Sequence, residues 1–405
     1  MLELLAPAGS LSKLKTAILF GADAVYVGGE DFSLRAAADN FTRPELCEGI
    51  KFAHNRNKKV YVAVNIVVRS NELEKIEEFS RFLYDSGADG VIVSDPGAFS
   101  IIKKAAPKLP IHVSTQANIT NFESARIWYA MGASRVVLAR ELSFEEIAQI
   151  RENLPKECEI ETFVHGAMCV SYSGRCLLSN YMANRDSNRG ECAQPCRWKY
   201  YLMEEKRPGQ YMPVYENDRG SFIFNSKDLC MIRHIDKLSS AGVKSLKIEG
   251  RVKSDYYVAT IVRAYRRAID DFYAGKPFDE ELLKEVSKVS HREYSEGFYF
   301  SQPEQIYTYG SYIRSCELIG TVKEYDEKNG VAVIEQRNRF YKGDEIEFLP
   351  PSGEYIKFRI EDMEDAEGNK IYVAPHPQMT VKIKVPVKLP PQTIVRKECE
   401  CSEPV

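Results

Sequence analysis

Short nonpolar runs recur along the first two thirds of the chain and alternate with amphipathic stretches of helical length. Continuous runs of this kind are typical of strands that are buried on both faces of a parallel sheet. The amphipathic stretches include residues 10–20 and 143–150, and the second begins with the Ser-Phe-Glu-Glu pattern of a capping box. The eight predicted strands are residues 2–5, 24–27, 60–64, 90–93, 111–113, 135–139, 160–164 and 245–248.

The number and order of these strands predict an α/β fold, a TIM-like (β/α)8 barrel over residues 1–275. A doubly wound open sheet is the alternative, although no Gly-x-Gly-x-x-Gly motif follows the first strand. The eighth strand begins about eighty residues after the seventh ends, so an insertion, residues 165–244, occupies the connection after strand 7. In a barrel that connection lies on the C-terminal face, where catalytic groups gather. A structural lid is the alternative role for the insertion.

The pattern changes near residue 310, where short alternating strands are separated by turn sequences such as Asp-Glu-Lys-Asn-Gly and Pro-Pro-Ser-Gly. This predicts a small C-terminal antiparallel β-barrel domain over residues 310–387, joined to the first domain by a linker, residues 276–309. Residues 388–405 are rich in proline and then acidic, which predicts a flexible tail.

Composition and charge limit the binding partners and the cellular location that we expect for the protein. The chain has 405 residues, 44% of them hydrophobic, and a formal net charge of −3, which gives no general argument for nucleic-acid binding. It contains no nonpolar run long enough to span a membrane, and its first residues do not resemble a signal peptide. We therefore expect a cytoplasmic protein without membrane association, in which disulfides are uncommon.

Four of the ten cysteines lie close together within the insertion: Cys169, Cys176, Cys192 and Cys196. Their spacing differs from the paired Cys-x-x-Cys of structural zinc sites, and iron–sulfur clusters accept more varied spacing. Spacing alone leaves zinc, an iron–sulfur cluster, a disulfide pair and buried thiols without metal all open. Cys230 is an alternative fourth ligand, but Cys196 shares a short loop with Cys192 and closes the site with less ordering of the chain.

Polar residues follow most of the predicted strands, as an active site at the mouth of a barrel requires. We expect a small anionic ligand there, because arginine favours forked contacts with carboxylates. The alternative is a set of ion pairs that closes the barrel. The predicted substrate-binding residues are Tyr26, Arg35, Asn65, Gln116, Arg140 and Arg251, and the predicted catalytic residues are His165, Lys247 and Glu249.

The chain also resembles a known family. Residues 161–169, Glu-Thr-Phe-Val-His-Gly-Ala-Met-Cys, together with Ser-Gly-Arg-Cys-Leu-Leu-Ser at 173–179, resemble the signature of peptidase family U32, the collagenase-like peptidases. The similarity continues through Leu-Ala-Pro-Ala-Gly at 5–9, Gly-Ala-Asp-Ala-Val-Tyr-Val-Gly-Gly at 21–29 and Ser-Leu-Lys-Ile-Glu-Gly-Arg at 245–251. It covers most of residues 1–300, and the C-terminal β domain also fits.

Within that family the chain is most similar to factors that form 5-hydroxyuridine at the wobble position of tRNA. The resemblance implies a [4Fe–4S] cluster on Cys169, Cys176, Cys192 and Cys196, and a dependence on prephenate. For an RNA substrate we expect phosphate contacts from Arg185, Arg189, Arg197 and Lys199, although these residues alone also fit a solvated surface. A U32-type peptidase and a non-catalytic RNA-binding scaffold with a structural metal site are the alternatives. Assembly with itself or with a related protein is left open.

Overall fold

The computed structural model describes residues 1–30, 40–169, 171–198, 201–202, 212–213, 226–301 and 312–399. The described helices are α1 (Leu11–Leu19), α2 (Arg43–His54), α3 (Leu73–Asp85), α4 (Pro96–Ala105), α5 (Phe122–Ala130), α6 (Phe144–Glu152), α7 (Leu178–Ala183), α8 (Ile235–Ser240), α9 (Asp255–Tyr273) and α10 (Glu281–Val286). Among the described residues, no helix is long and nonpolar enough to cross a membrane.

The strands of the first domain are β1 (Glu3–Pro7), β2 (Ala24–Gly28), β3 (Lys59–Val64), β4 (Gly90–Val93), β5 (Ile111–Val113), β6 (Arg135–Val137), β7 (Glu159–Ala167), β8 (Tyr201–Leu202), β9 (Met212–Pro213), β10 (Asp228–Cys230), β11 (Ser245–Ile248) and β12 (Tyr294–Ser295). Strands β1 to β7 pair in parallel in chain order, and β11 pairs in parallel with both β7 and β1. These pairings close an eight-stranded barrel, so the predicted (β/α)8 fold is confirmed.

Local sequence signals explain where the helices of the barrel begin. The Ser10 side chain accepts a hydrogen bond from the first turn of α1, and Ser143 with Glu146 forms the predicted capping box of α6. The nonpolar faces of these helices pack on the outside of the barrel in one continuous core.

The predicted boundaries around the barrel need correction. Helix α8 is the connection that leads into β11, so it belongs to the barrel and not to the insertion. Strand β10 pairs antiparallel with β7, and β12 pairs with β10, which extends the sheet beyond the closed barrel. Residues 276–301, predicted as part of a linker, contain α10 and β12 and pack on the barrel.

The second domain consists of β13 (Cys316–Asp326), β14 (Val331–Gln336), β15 (Phe340–Tyr341), β16 (Glu345–Leu349), β17 (Ile356–Arg359), β18 (Met363–Glu364), β19 (Lys370–Ile371), β20 (Val373–Ala374), β21 (Thr380–Lys384) and β22 (Ile394–Glu398). They form a curled antiparallel sheet, which confirms the predicted β domain.

The prediction of a flexible tail is wrong for residues 394–398. They form β22, which lies between β13 and β16 in the middle of the sheet. Arg396 in β22 is fully buried and pairs with Glu285 of α10 and with Glu347 of β16. A charged residue that looks solvated in the sequence therefore joins the two domains.

Candidate functional site

Four charged side chains meet inside the N-terminal half of the barrel, and we call Glu3, Arg135, Glu161 and Lys247 the lower charge layer. Arg135 donates to Glu3 at 2.6 Å and to Glu161 at 3.0 Å. Lys247 lies 2.8 Å from the other oxygen of Glu161, which is itself fully buried. Burial alone would raise the pKa of Glu161, but the charges of Lys247 and Arg135 hold it below its usual value.

The predicted catalytic role of Lys247 does not fit this arrangement. Its ammonium group is engaged by Glu161 and lies 4.5 Å from the centre of the Tyr26 ring, inside the barrel. Tyr26, predicted to bind substrate, donates its hydroxyl to the backbone oxygen of Ile248. Both side chains are buried. They fill the interior of the barrel below its C-terminal mouth, and Glu161 neutralises the charge of Lys247.

His165, the second predicted catalytic residue, lies outside the barrel. Strand β7 contains a one-residue irregularity: Lys247 of β11 pairs with Phe163, but the next residue of β11 pairs with His165. Simple alternation would place His165 on the same face as Phe163. Instead its ring packs against Tyr257 and Tyr265 of α9 and against Tyr294.

This position also determines the protonation of His165. The residue is 1% exposed, and burial lowers its pKa to about 3, with His291 and Lys253 adding to the effect. A neutral imidazole enclosed by three tyrosine rings is a core residue. His165 is therefore not placed to transfer a proton at the mouth.

The C-terminal mouth of the barrel carries a connected set of amides and hydroxyls. Asn65, which follows β3, donates to the Ser114 hydroxyl at 3.2 Å. The same hydroxyl accepts from the backbone N–H of Gln116. Asn118 has a left-handed backbone, φ 53°, and its amide donates to the backbone oxygens of Gln116 and Ser173. Hydrogen bonds thus link the ends of β3 and β5 to the insertion.

Several polar atoms at the mouth lack partners among the described residues. They are the Oδ1 atoms of Asn65 and Asn118 and the Nε of Arg140, all three buried. Buried polar groups are usually hydrogen-bonded, because leaving one unsatisfied costs about 1–3 kcal/mol. Such atoms at the C-terminal end of a barrel are expected where a ligand completes the site. Ser114 and Ser173 belong to this set but were missed by sequence reasoning, since only the fold brings them to Asn65 and Asn118.

Arg140 connects the end of β6 to the insertion. Its two terminal nitrogens donate to the backbone oxygen of Ala167 at 3.0 Å and to the hydroxyl of Ser173 at 3.1 Å. These acceptors lie on either side of Cys169 in the chain. Burial would lower the pKa of Arg140, but Cys169 foremost, with Glu249, holds it above its usual value. Arg140 therefore clamps the loop that carries Cys169.

Further hydrogen bonds tie the insertion together around the cysteines. Ser187 and Asn188 donate to the backbone oxygen of Cys176, and the N–H of Ala193 donates to the buried hydroxyl of Ser179. A glycine is required at position 174, where φ is +75° and an added Cβ would lie 3.3 Å from Gln116. The segments that carry Cys169, Cys176 and Cys192 are thus held together over the barrel mouth.

The cysteines themselves are available as thiols. None of the nine cysteines in the described residues forms a disulfide, and Cys169 and Cys192 are exposed. Within the described ranges, no group of three or more His, Cys, Asp or Glu side chains is arranged closely enough to hold a metal ion. Cys230 is buried beside Tyr265, and burial raises its pKa to about 11. Cys196 and Cys230 both stay candidates for the fourth ligand, because a bound metal would itself lower the pKa of a coordinating thiol.

The structure places the four predicted RNA-binding residues in different environments. Arg189 forms a forked pair with Glu72, at 2.6 and 3.2 Å, and also donates to the backbone oxygen of Val67. It anchors the insertion to the loop before α3, which does not fit the predicted phosphate contact. Arg185 is exposed. The side chain of Arg197 and all of Lys199 lie outside the described part of the chain.

The remaining predicted site residues lie near the closing strands. Glu249 is half-buried at the end of β11, where its backbone approaches Gly166 so closely that an added Cβ would lie 2.7 Å from the Glu249 oxygen. Arg251 is buried just beyond it. Arg35 falls in residues 31–39, outside the described residues.

Comparison with known proteins adds independent information. A model of peptidase family U32 matches residues 9–308, and a model of the peptidase family U32 C-terminal domain matches residues 314–396. The chain is 41% identical over 401 residues to tRNA hydroxylation protein P1 of Bacillus subtilis, covering 98% of this chain and 94% of that protein. It is 40% identical over 429 residues to tRNA hydroxylation protein P of Escherichia coli, covering 96% and 94%. An uncharacterized protease of Methanocaldococcus jannaschii is 45% identical over 358 residues, covering 85% and 86%.

Proposed function

The chain belongs to peptidase family U32, and we propose that it is an enzyme that hydroxylates tRNA, forming 5-hydroxyuridine at the wobble position. Two relatives named for tRNA hydroxylation align with nearly its whole length at about 40% identity. The observation that carries the proposal is structural. A thiol-bearing insertion is fastened across the barrel mouth by Arg140 and Asn118, directly above buried polar atoms that lack partners.

We also propose that the insertion binds a [4Fe–4S] cluster through Cys169, Cys176, Cys192 and Cys196. The chemistry of the donor set supports this, because all four are thiols, none is fully buried, and they lie on one segment at the mouth. The four thiols are not gathered into a metal site in this structure, so binding a cluster would have to draw them together. Such a cluster supplies one-electron redox chemistry when bound. The protein's own part is to hold the thiols: Arg140 fixes the loop of Cys169, and Ser187 and Asn188 fix that of Cys176.

Prephenate is our proposed co-substrate. It is a dicarboxylate, and arginine side chains at the mouth suit its charge. Arg251 is buried just after β11. Arg35 follows β2 in the sequence but lies outside the described residues. We expect Arg251→Lys to raise the prephenate concentration needed for half-maximal hydroxylation about tenfold, with iron content unchanged. A loss of stability with an unchanged prephenate requirement would contradict this assignment.

The peptidase alternative is less well supported by the geometry. The family name and the uncharacterized protease of Methanocaldococcus jannaschii support a peptidase. However, the histidine of the signature, His165, is enclosed by tyrosine rings and has a pKa far below neutrality. It does not face the mouth, where a general base for peptide cleavage would have to lie.

The decisive experiment is nucleoside analysis of tRNA from a deletion strain complemented with variants. Wild-type protein should restore 5-hydroxyuridine, and Cys169→Ser and Cys176→Ser should not. Both variants should also lose iron and acid-labile sulfide after anaerobic purification. Cys47→Ser is the matched control, since Cys47 is exposed but lies on α2 outside the insertion.

Each half of the proposal has its own contrary result. A Cys169→Ser protein with full iron and sulfide would remove the cluster assignment. If the deletion strain kept a normal level of 5-hydroxyuridine, the proposed tRNA-hydroxylating activity would be wrong. Comparing Cys196→Ser with Cys230→Ser identifies the fourth ligand.

A further inference from the structure

Large nonpolar side chains are unusually exposed on the insertion. Five of the nineteen exposed large hydrophobic residues of the described chain fall within residues 171–198. Tyr181 on α7 is 84% exposed, the most of any tyrosine in the described residues. The five are Tyr172, Leu177, Tyr181, Met182 and Trp198. We use the name aromatic face for the three aromatic members, which share the segment 172–198. Exposed nonpolar side chains concentrated on one segment make that segment a candidate binding surface.

The aromatic face is carried by an anchored segment. Ser187 and Asn188 both bond to the backbone oxygen of Cys176, and Ala193 bonds to Ser179 at the start of α7. Arg189 ties the same segment to Glu72. Asn118 and Arg140 hold Ser173, next to Tyr172, in the same way. The backbone that carries Tyr172 and Tyr181 is therefore anchored, so little conformational entropy is lost when a ligand stacks on these rings.

The charges beside the aromatic face favour an anionic partner. Arg175 and Arg185 are exposed, and neither forms an ion pair with a described residue. Arg175 lies in a turn with Tyr172, its N–H bonded to the Tyr172 oxygen, and Arg185 follows α7 four residues after Tyr181. Aromatic rings close in sequence to exposed arginines are typical of surfaces that bind single-stranded nucleic acid, whose bases stack and whose phosphates pair with arginine.

We propose that the aromatic face is a stacking platform for the unpaired nucleotides that flank the reacting base of an RNA loop. This inference rests on the proposed function. A base that enters the barrel mouth must leave its neighbours on the rim, and the insertion that carries Tyr172 and Tyr181 is fastened to that rim by Arg140. A base in a loop is already unpaired, so its entry costs less than extraction from a duplex.

The test is the affinity of the full-length protein for an anticodon stem-loop RNA. Tyr181→Ala and Trp198→Ala should each weaken binding roughly fivefold to a hundredfold, the range of one lost base stack. Tyr181→Phe should bind like wild type, because the ring is kept. Tyr372→Ala is the matched control, since Tyr372 is 76% exposed on the second domain. A fully paired RNA of equal length should bind wild type and Tyr181→Ala equally.

Two results would overturn the inference. One is unchanged stem-loop affinity in Tyr181→Ala and Trp198→Ala. The other is loss of self-association in these variants, measured by light scattering, with RNA affinity retained, because the face would then be a protein interface. The proposed function is tested separately, by measuring 5-hydroxyuridine in the tRNA of the complemented strain. If RNA binding depends on Tyr181 but the complemented strain makes no 5-hydroxyuridine, the proposed activity is wrong and the RNA-binding inference stands.

Discussion

The lower charge layer and the barrel mouth differ in how completely their polar side chains are paired. In the lower charge layer every charge has a partner: Arg135 and Lys247 share Glu161, and Glu3 accepts from both Arg135 and Tyr61. At the mouth, buried atoms of Asn65, Asn118 and Arg140 have no partner among the described residues. Buried charges that are fully paired stabilise one structure, whereas buried polar atoms that line a barrel mouth and lack partners are candidates for contacts with a ligand. The difference separates the end that stabilises the barrel from the end that we expect to bind substrate.

The largest predicted effect removes one member of the closed network. Glu161→Gln leaves Lys247 buried without its carboxylate, so the free energy of unfolding should fall by about 3–5 kcal/mol. Glu123→Gln, which breaks the exposed pair with Arg126, should cost less than about 1 kcal/mol. Chemical denaturation measures both.

A second variant shows whether the effect belongs to the ion pair. Glu161→Gln combined with Lys247→Met should regain part of the lost stability, because a buried pair replaced as a whole leaves no unpaired charge. The double variant should also form 5-hydroxyuridine. Recovered stability with no product would return Lys247 to the catalytic role predicted from the sequence.

The next largest predicted effect is a loss of stability at low pH, which arises from a histidine in the lower half of the barrel. His112 is buried in the lower half of the barrel with its ring 4.5 Å from that of Tyr61. Burial, with Arg135 second, holds the pKa of His112 well below 6.5. The unfolded chain therefore takes up a proton below about pH 6.5 that the folded protein does not. Stability is lost as pH falls from there, by roughly 1.4 kcal/mol per pH unit for this group.

Between pH 6.5 and 5, His112→Phe should remove the contribution of His112 to the slope of unfolding free energy against pH. At pH 8 the free energy of unfolding should change little. His165, whose pKa is also lowered, keeps its own share in this variant. His376→Phe, at an exposed position, is the control. An unaltered slope in His112→Phe would mean that His112 is not held neutral by its surroundings.

How far the sequence predicts this molecule depends on which contacts are local. The barrel strands were found because buried parallel strands are continuous nonpolar runs, and α6 because its cap lies within four residues. The sequence does not predict the role of Lys247. A polar residue near the end of a strand gives the same sequence pattern whether its side chain faces a ligand or pairs with Glu161. Only the register, which sets Ser245 beside Glu161, decides. His165 was misplaced for a similar reason, because alternation cannot reveal the irregularity at Val164.

Loosening the mouth should have a smaller, local effect. Arg140→Lys loses the fork that reaches Ala167 and Ser173, so the Cys169 loop should open more often. Trypsin should then cleave after Arg175 and Arg185 about tenfold faster, the result of losing roughly 1.4 kcal/mol of local stability. Global unfolding should change little.

The matched control lies at the opposite end of the barrel. Arg151 also donates to several backbone oxygens, those of Cys158, Leu154 and Pro155, in the loop before β7. Arg151→Lys should leave cleavage within the insertion unchanged. Equal acceleration by both variants would show that Arg140 has no special hold on the insertion.

The smallest effect concerns Arg189, whose role the structure changes from the predicted phosphate contact to an anchor. Its pair with Glu72 is partly exposed, so a double-mutant cycle should give a coupling of about 0.5–1 kcal/mol. If Arg189 only anchors, Arg189→Gln and Glu72→Gln should lower tRNA affinity to the same small extent, because each frees the same segment. Arg185→Gln should instead reduce the salt dependence of binding by about one phosphate contact. A similar reduction in Arg189→Gln, absent from Glu72→Gln, would show that tRNA draws Arg189 away from Glu72. The insertion would then exchange an internal ion pair for an RNA contact on binding.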